Sequence, residues 1–573
     1  MNRNVESRFS RLPQANIQRS VFDRSHSHKT TFNVGDLIPI LCDEVLPGDT
    51  VQIDTSKMIR LQTMLAPIYD NIYLDTYFFF VPSRLCWSKW KSFMGENDSS
   101  PWAQSAIPSM PLFQAPEGVS SGSVADHFGL PVNVPLTSAN KSAITSLPFV
   151  AYDLIYNDFF RDENLIDPVL VDFDNPSMEF SKDVVGARGM PYKAAKYHDY
   201  FTSALPSPQK STDPVLIPVS GVATGAGLPQ AFPVVAGPQT IDPANFTGNA
   251  VPMAFYDRNL SANNLNVTSW ASVSQSQKVM GLNSMNHVPS SMSNEFLTPA
   301  NLWAVTGNVS QDINVDGLGI DVNTLRLAVA TQVYYEAIAR SGSRYEEILN
   351  ALFGVSNPDS RLQQPEYLGG NRIRINVHEV TNTSQTETDF LGDVGAQSVT
   401  TDTHSDFTKS FTEFGYLIGV VVARYDHSYC QGIPRMFSRL DRFDFYNPVF
   451  KAIGEQPIYN REIFVSSGAD ASKNDQVFGY QEAWASYRYS QNFASGELRP
   501  NVGNNLGHWS LTDIYASLPT LSSGWISEEK ANVDRALAVS SSLSNQIFAD
   551  FYFNAKWTRP LPMYSIPSTF GMF

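Results

Sequence analysis

The sequence predicts a mainly β protein with several short helices, and three segments carry that prediction. The region 50–81 contains short strand patterns, the longest from Ile72 to Val81. Both faces of this strand become apolar towards its end, which is typical of a strand covered on both sides. Asn371 to Val380 alternates apolar and polar side chains, as a half-buried strand does. Phe414 to Ala423 is almost continuously apolar, which predicts a fully buried strand.

The region 47–98 is dense in local signals. Thr50 to Asp54 and Met58 to Leu61 are predicted as separate short strands. Pro82 ends the third strand, because proline has no N–H to give to a ladder. Ser83 is expected to cap a helix that ends at Gly95, where positive φ costs little. The apolar face of that helix comprises Leu85, Cys86, Trp90, Phe93 and Met94.

Further helices are predicted in two places. Leu147 to Phe160 has a helical apolar face, with Ser146 as its cap. A second helix runs from Thr324 to Ser341, and Ser343 with Glu346 forms the capping box of a third over 344–353. The apolar face of the second helix comprises Leu325, Ala328, Val329, Val333, Ala337 and Ile338.

Composition restricts the class of protein. Only 17% of the 573 residues are charged, below the ~25% typical of soluble domains. Such a chain must hide much of its surface or expose Ser, Thr, Asn and Gln, and extensive subunit contacts are one way to hide it. The formal net charge of −16 argues against a chain that reads DNA sequence over its whole surface, because phosphate contacts need Lys and Arg. A local basic face is still compatible with this charge.

Cysteine use and hydropathy exclude further classes. Cys42, Cys86 and Cys430 are distant from one another and odd in number, so the sequence predicts no disulfide framework and assembly in a reducing compartment. The first residues lack an apolar core, so no signal peptide is predicted. No run of about 18 apolar residues exists, so no transmembrane helix is expected.

Charge and composition divide the chain into regions. Residues 1–30 are basic, with Arg3 and Arg8 among six Arg and Lys side chains, and read as an extended arm that is either a mobile tail or a contact for nucleic acid or a neighbouring subunit. Residues 211–323 contain Arg258 and Lys278 as their only Arg or Lys and are rich in Gly, Pro, Ser and Asn. Because a structureless loop of this length is improbable, the segment is either a subdomain or an oligomeric contact element.

No constellation of side chains predicts catalysis, a metal site or a cofactor. His26 and His28 form a pair that no nearby ligand completes. His427 stands three residues before Cys430, but nothing in the sequence secures the geometry of a nucleophile and its base. The glycine-rich segment 221–227 lacks the Gly-Lys-Ser/Thr ending of a phosphate-binding loop.

A second basic region mixes arginine with aromatic residues. Arg435, Arg439 and Arg442 are four and three residues apart, interleaved with apolar side chains, and Arg488 lies between two tyrosines. If the first segment is helical, it presents a basic stripe beside an aromatic one. Guanidinium groups with aromatic neighbours suit single-stranded nucleic acid. The alternative is that these arginines pair with the surplus of Asp and Glu within or between subunits.

Several motifs in order carry a resemblance to a known family. They are FNVGDLIP (32–39), PGDT (47–50), DTYFFFVP (75–82), WKSFMG (90–95), Gly369-Gly370, FGYQEAW (478–484) and the C-terminal tail. Together they resemble the major capsid proteins of the Microviridae, small single-stranded DNA phages, and specifically those of the gokushovirus branch. The similarity extends over nearly the whole chain outside 211–323.

The resemblance implies an antiparallel eight-stranded jelly roll of viral capsid type, with long inter-strand insertions, formed by 31–210 and 324–573. It implies a T=1 icosahedral shell around a circular single-stranded DNA genome, in a virion assembled in the bacterial cytoplasm. It also implies that 211–323 is an insertion forming a surface protrusion at the three-fold axis. The residues expected there are Phe246, Phe255, Trp270, Gly225 and Gly227.

The implied partners are further copies of the chain at five-, three- and two-fold contacts, the single-stranded DNA genome, a small basic DNA-binding protein, an internal scaffolding protein, a DNA pilot protein and a host surface receptor. Genome contact is expected of Arg435, Arg439, Arg442, Arg488, Arg3 and Arg8. One alternative function is a secreted or surface β-rich adhesin or carbohydrate-binding protein, against which the lack of a secretion signal argues. An enzyme is a second alternative, without a catalytic constellation to support it.

Overall fold

A computed structural model describes residues 18–96, 107–210, 231–233, 253–257, 302–306, 322–341, 363–385, 391–451, 453–503 and 505–564. The chain divides into two compact units, one made of 1–210 with 336–573 and the other of 211–335. None of the helices within the described ranges is long and apolar enough to cross a membrane. The architecture of the described part is mainly β, as the sequence predicts.

Eight strands of the first unit form two antiparallel four-stranded arrays. In chain order they are β1 (His26–Phe32), β2 (Ile38–Val45), β3 (Thr50–Leu61), β4 (Ile72–Pro82), β5 (Glu366–Arg374), β6 (Thr400–Ser410), β7 (Gly415–Tyr425) and β8 (Ile547–Arg559). The first sheet has the order β1-β8-β3-β6, and the short strand Ser20–Asp23 pairs with the last residues of β8. The second sheet has the order β5-β4-β7-β2.

The main core contains inward side chains of both sheets. Strand β8 alternates strictly, and its buried residues Phe551, Phe553 and Trp557 share one cluster with Phe78 of β4 and Phe407 of β6. Burial of such side chains contributes about 2–3 kcal/mol each. The large apolar residues of alternate positions therefore hold the two sheets together.

Strands β4 and β7 are buried on both faces, which confirms the prediction for these segments. Phe79 of β4 and Ile418 of β7 belong to a second cluster that includes the helix Leu147–Ile155. Gly419 lies in the middle of β7, where a Cβ atom would stand 2.9 Å from the ring of Phe78. Only glycine leaves room for this ring between the sheets.

The remaining elements are short, apart from one helix. The other strands are Leu112–Gln114, Ile144–Thr145, Met178–Glu179, Val377–Thr381, Val394–Ser398, Ser428–Tyr429, Glu455–Tyr459, Val477–Glu482 and Asn492–Phe493. The helices are Ser83–Cys86, Trp90–Phe93, Val124–His127, Leu147–Ile155 with a π turn over Tyr156–Phe160, Val322–Ser341, Asn460–Ile463, Ala485–Arg488, Ser523–Ile526 and Ala531–Ala536. In the second unit, Met253–Asp257, Leu302–Thr306 and Ala231–Pro233 form an antiparallel sheet.

Two strand predictions are wrong in their boundaries. The two short strands expected over 50–61 are one strand, β3, because the inward positions between them are polar but still buried: Thr55 and Lys57. The strand expected over Asn371–Val380 breaks after Arg374. There the Asn376 N–H donates to the Thr400 hydroxyl at 2.8 Å, and the chain leaves the partner strand β4.

The helix predictions that fall within the described residues are confirmed in place but not in detail. Ser83–Cys86 and Trp90–Phe93 are separate turns, and neither Ser83 nor Ser146 caps a helix through its side chain. Gly95 has the expected positive φ of 102°. The helix Val322–Ser341 exists, but Val329 and Val333 on its apolar face are more than half exposed. The helix predicted over 344–353 lies outside the described residues.

The basic arm predicted over 1–30 is in part a component of the sheet. Ser20–Asp23 and His26–Phe32 are strands paired with β8. Arg24, between them, bonds Asp43 at 2.8 Å. The mobile-tail interpretation is therefore wrong for residues 20–30, while Arg3 and Arg8 lie outside the described residues.

Candidate nucleic-acid interface

The three spaced arginines lie on a loop after β7 that is not a continuous helix. Short 3₁₀ turns occupy Arg435–Ser438, Arg442–Asp444 and Pro448–Phe450. The carboxylate of Asp444 accepts the backbone N–H groups of Leu440 and Asp441, both at 2.9 Å, and these bonds lower its pKa. A helix would need those N–H groups for its own carbonyls. The conditional helical stripe is therefore wrong, although the loop still displays basic and aromatic groups.

Arg435 points into the protein. Its guanidinium donates to the carbonyl of Pro457 at 2.8 Å and lies 3.4 Å from Glu462, whose side chain is 2% exposed. Burial raises the pKa of Glu462, and the charge of Arg435 opposes that rise. Tyr200 donates its hydroxyl to the same carboxylate at 2.9 Å. Arg435 therefore neutralises a buried acid, and its guanidinium is occupied within the chain.

Among the other arginines of the set, Arg442 and Arg488 are exposed and Arg439 is half-buried. Arg439 and Arg442 lie close to aromatic rings. Arg439 stands 3.9 Å above the ring of Tyr487 and donates to Ser486 at 3.0 Å. Arg442 lies 4.7 Å from the ring of Phe443. Arg488 pairs with Glu482 at 2.5 Å. The fold thus brings Arg439 to the segment that carries Arg488, a proximity that their separation in sequence does not reveal.

Trp484 anchors this surface from below. It is 7% exposed, and its backbone φ of 66° lies in the left-handed region that non-glycine residues rarely adopt. Its indole N–H donates to the Phe450 carbonyl at 2.8 Å, and its ring packs edge-on against Tyr446. Such strain persists only where the surroundings fix it. The sequence places Trp484 in a family motif but gives no signal for this role.

The same loop exposes large apolar side chains. Leu440 is 93% exposed, Val449 81% and Phe437 67%. We call these residues, with Phe443 and Tyr487, the exposed loop surface. Several large apolar side chains exposed on one segment are typical of an interaction site. Arginine and aromatic groups at its edge suit phosphate and bases, whereas Leu440 and Val449 suit an apolar protein partner.

His427 and Cys430 do not form a nucleophile and base. Both ring nitrogens of His427 face carboxylates, Asp513 at 2.9 Å and Glu528 at 3.2 Å. Burial alone would lower the pKa of His427, but the two charges outweigh it and raise the pKa to about 10. The imidazole is therefore protonated at neutral pH and cannot accept a proton from Cys430.

The structure leaves several predicted site residues without a description. Arg3, Arg8, Gly225, Gly227, Phe246 and Trp270 lie outside the described residues. Phe255 lies within a strand, paired through the backbone with Ala304. No group of three or more His, Cys, Asp or Glu side chains suited to a metal ion occurs among the residues that the structure covers.

Comparison with known proteins finds capsid proteins that match nearly the whole length of the chain. The model of the family described as "Capsid protein (F protein)" matches residues 10–569. The capsid protein VP1 of Chlamydia phage 1 is 36% identical, with 98% of each chain covered. VP1 of Spiroplasma virus 4 is also 36% identical, covering 98% of this chain and 97% of its own. VP1 of Bdellovibrio phage phiMH2K is 35% identical over 100% and 99%, respectively.

Proposed function

Because the chain belongs to the capsid protein family of the Microviridae and is a major capsid protein of single-stranded DNA phages, we propose that it builds a closed T=1 icosahedral shell around a circular single-stranded DNA genome. The exposed loop surface is the observation that carries the proposal. Leu440 and Val449 are 93% and 81% exposed in the single subunit. Subunit contacts repeated by symmetry would cover them. Membership of this non-enzymatic virion protein family decides against the adhesin and enzyme alternatives.

Electron microscopy of the purified protein under assembly conditions tests the shell. Closed particles of uniform diameter are expected. A subunit that stays monomeric under every assembly condition would overturn the proposal. Leu440→Ser with Val449→Ser should abolish particles while the unassembled subunit melts as before. Leu543→Ser is a matched control, because Leu543 is 84% exposed and lies outside the exposed loop surface.

We propose a jelly roll as the fold of the first unit. The strand orders β1-β8-β3-β6 and β5-β4-β7-β2 support it. A roll of two Greek keys places its first and last strands side by side, and likewise its second and seventh. Long connections, such as the one between β4 and β5, agree with the insertions that capsid rolls carry. An experimental structure of the shell with a different strand order would contradict this assignment.

We propose that 211–323 forms a protrusion at the three-fold axis and takes part in host attachment. The compactness of 211–335 as a separate unit supports it, as does the scarcity of charge in the segment, which suits three copies packed about an axis. Deleting 211–323 should leave the eight strands foldable and abolish adsorption to the host. Unchanged adsorption would refute the attachment role.

We propose that Arg439, Arg442 and Arg488 contact the genome. The guanidinium groups of Arg439 and Arg442 lie beside aromatic rings, which suits phosphate contact and base stacking. Arg488 is half exposed at its ion pair with Glu482. Arg439→Ala with Arg442→Ala should weaken binding of single-stranded DNA to subunits and flatten its salt dependence. Lys473→Ala removes one charge as a control; the Lys473 ammonium pairs with Asp470 at 2.8 Å. Equal affinity in all variants would make these arginines structural.

The remaining partners are proposed on the family resemblance alone. They are the small basic DNA-binding protein, the internal scaffolding protein, the DNA pilot protein and the host receptor. An acidic chain with a formal net charge of −16 agrees with a separate basic protein that neutralises part of the genome. Mass spectrometry of purified virions and of assembly intermediates would identify the first three, and their absence from every particle would contradict this part.

A further inference from the structure

Lys57 is an unusual residue of the inter-sheet core. It lies on the inward face of β3 between Thr55 and Ile59, and its side chain is fully buried. Its Nζ has no hydrogen-bond partner among the residues that the structure describes. A buried ammonium without such partners costs several kcal/mol. The other inward positions of β3, such as Ile53 and Ile59, are mostly apolar, so an apolar residue is expected at this position.

A carboxylate stands directly across the ladder from this amine. Asp402 of β6 is the cross-strand partner of Lys57, and its Oδ2 lies 3.8 Å from Nζ. The same Oδ2 accepts the side-chain amide of Asn371, on β5, at 2.7 Å. The amide thus holds the carboxylate in place and would stabilise negative charge on that oxygen.

A second carboxyl group completes the cluster. A bulge between Ser405 and Phe407 in β6 sets Asp406 apart from the ladder, and its side chain is fully buried. Thr55 donates its hydroxyl to one oxygen of Asp406, and His404 lies 3.1 Å from the other. Burial lowers the pKa of Lys57 and raises the pKa of Asp406. Both shifts favour the neutral forms, a free amine and a carboxylic acid.

We propose that Lys57 and Asp402 become joined by an isopeptide bond between Nζ and Cγ, which ties β3 covalently to β6. The geometry described is that of the two groups before they react. The amine lies 3.8 Å from a carboxylate oxygen of Asp402, has no hydrogen-bond partner among the described residues and is shielded from water. An ion pair that never reacts is the alternative outcome.

The reaction balances without any further reactant. A proton passes from the Lys57 ammonium to the Asp402 carboxylate, leaving a neutral amine and a carboxylic acid. Nζ adds to Cγ, the C–N bond forms, a C–O bond breaks and the oxygen leaves as water. Both protons of that water come from Nζ, and the amide keeps the third. Asp406, within electrostatic reach of Lys57, is suited to carry one of them from nitrogen to the leaving oxygen.

The bond would fasten an edge strand, which can separate from its sheet more easily than a central strand. Strand β6 is at the edge of its sheet, and within the described ranges it pairs only with β3. A covalent link between residues so distant in sequence constrains the unfolded chain and slows its complete unfolding. A shell protein gains from this, because an edge strand that cannot peel away protects the core.

Peptide mapping of the denatured native protein tests the proposal directly. Trypsin cleaves after a free Lys57, whereas an amide at Nζ blocks cleavage there. We expect the peptides that contain Lys57 and Asp402 to be found joined, lighter than their sum by one water. A free peptide ending at Lys57 in full yield means an ion pair only, and it overturns the proposal.

Variants separate chemistry from folding. Asp402→Ala and Lys57→Arg should abolish the joined peptide. Asp402→Asn should keep it, because attack on the asparagine amide gives the same bond and releases ammonia. Asp406→Asn should reduce the joined fraction at least tenfold in freshly folded protein while thermal melting confirms the fold. Lys409→Arg, on the same strand but paired with Glu366 at the surface, should leave it unchanged. Equal yields for Asp406→Asn and the native chain would remove Asp406 from the mechanism.

Discussion

Strand β4 and the exposed loop surface are both rich in aromatic and aliphatic residues, yet their environments are opposite. Phe78, Phe79 and Phe80 are at most 2% exposed, because one sheet face packs on the other sheet and the outer face on a helix. Leu440 and Val449 are more than 80% exposed. Apolar side chains of β4 are satisfied within one chain, whereas those of the loop need a partner. Local composition therefore does not distinguish a core from an interface.

The largest effect should come from the core side of this comparison. Phe78→Ala removes a ring that contacts Phe407 and Phe553, with centroids 5.6 and 6.3 Å away. Urea unfolding of the unassembled subunit should show a loss of about 3–5 kcal/mol. A loss below 1 kcal/mol, which is within the range of surface substitutions, would mean that the two sheets do not pack through this ring.

The helix Leu147–Ile155, which packs on the outer face of β4 and contains the buried Asp153, should make the stability of the subunit depend on pH. Burial raises the pKa of Asp153 to about 6, above its ordinary value of 3.8. The folded state then binds more protons than the unfolded state between these values, so stability falls as pH rises from about 4 to about 6. Asp153→Asn cannot ionise and still offers an acceptor to the Tyr192 hydroxyl. It should remove this fall and stabilise the subunit by about 2–3 kcal/mol at pH 7. Equal free energies of unfolding of the native subunit in urea at pH about 4 and at pH about 6 would contradict this pKa of Asp153.

Arg435 is the loop residue that should behave like the core. Arg435→Ala leaves the buried Glu462 without its cation, and we expect a loss of about 1–3 kcal/mol in urea unfolding. Arg439→Ala is the matched control on the same loop and should stay within about 0.5 kcal/mol, because Arg439 contacts the exposed Tyr487 ring and Ser486 rather than a buried carboxylate. Equal losses would show that the division of the loop into inward and outward arginines is wrong.

The smallest effect should come from the exposed loop surface itself. Phe437→Ala should change the stability of the unassembled subunit by less than about 0.5 kcal/mol, because its ring is 67% exposed. The same variant should lower the yield of particles, measured by light scattering. A stability loss like that of Phe78→Ala would show that the ring packs within the chain.

Sequence patterns alone were sufficient where a single physical signal controls the structure. Two-sided burial of β4 and β7 follows from continuous apolar character, and positive φ at Gly95 follows from the lack of a side chain. The ordered motifs identified the family. The patterns failed where polar groups are buried, as in β3, because Thr55 and Lys57 interrupt the apolar alternation while the strand continues.

Tertiary structure alone decided which charged groups are free and which are occupied. Arg435 and Arg439 are equivalent in sequence, but one reaches a buried carboxylate and the other a surface tyrosine. Lys57 and Asp402 become neighbours only through the pairing of β3 with β6. Periodicity reports which face of an element is apolar, while contacts between distant residues depend on register and on the path of loops. For this reason the sequence determined the fold class and the capsid family, and the structure determined where its chemistry can occur.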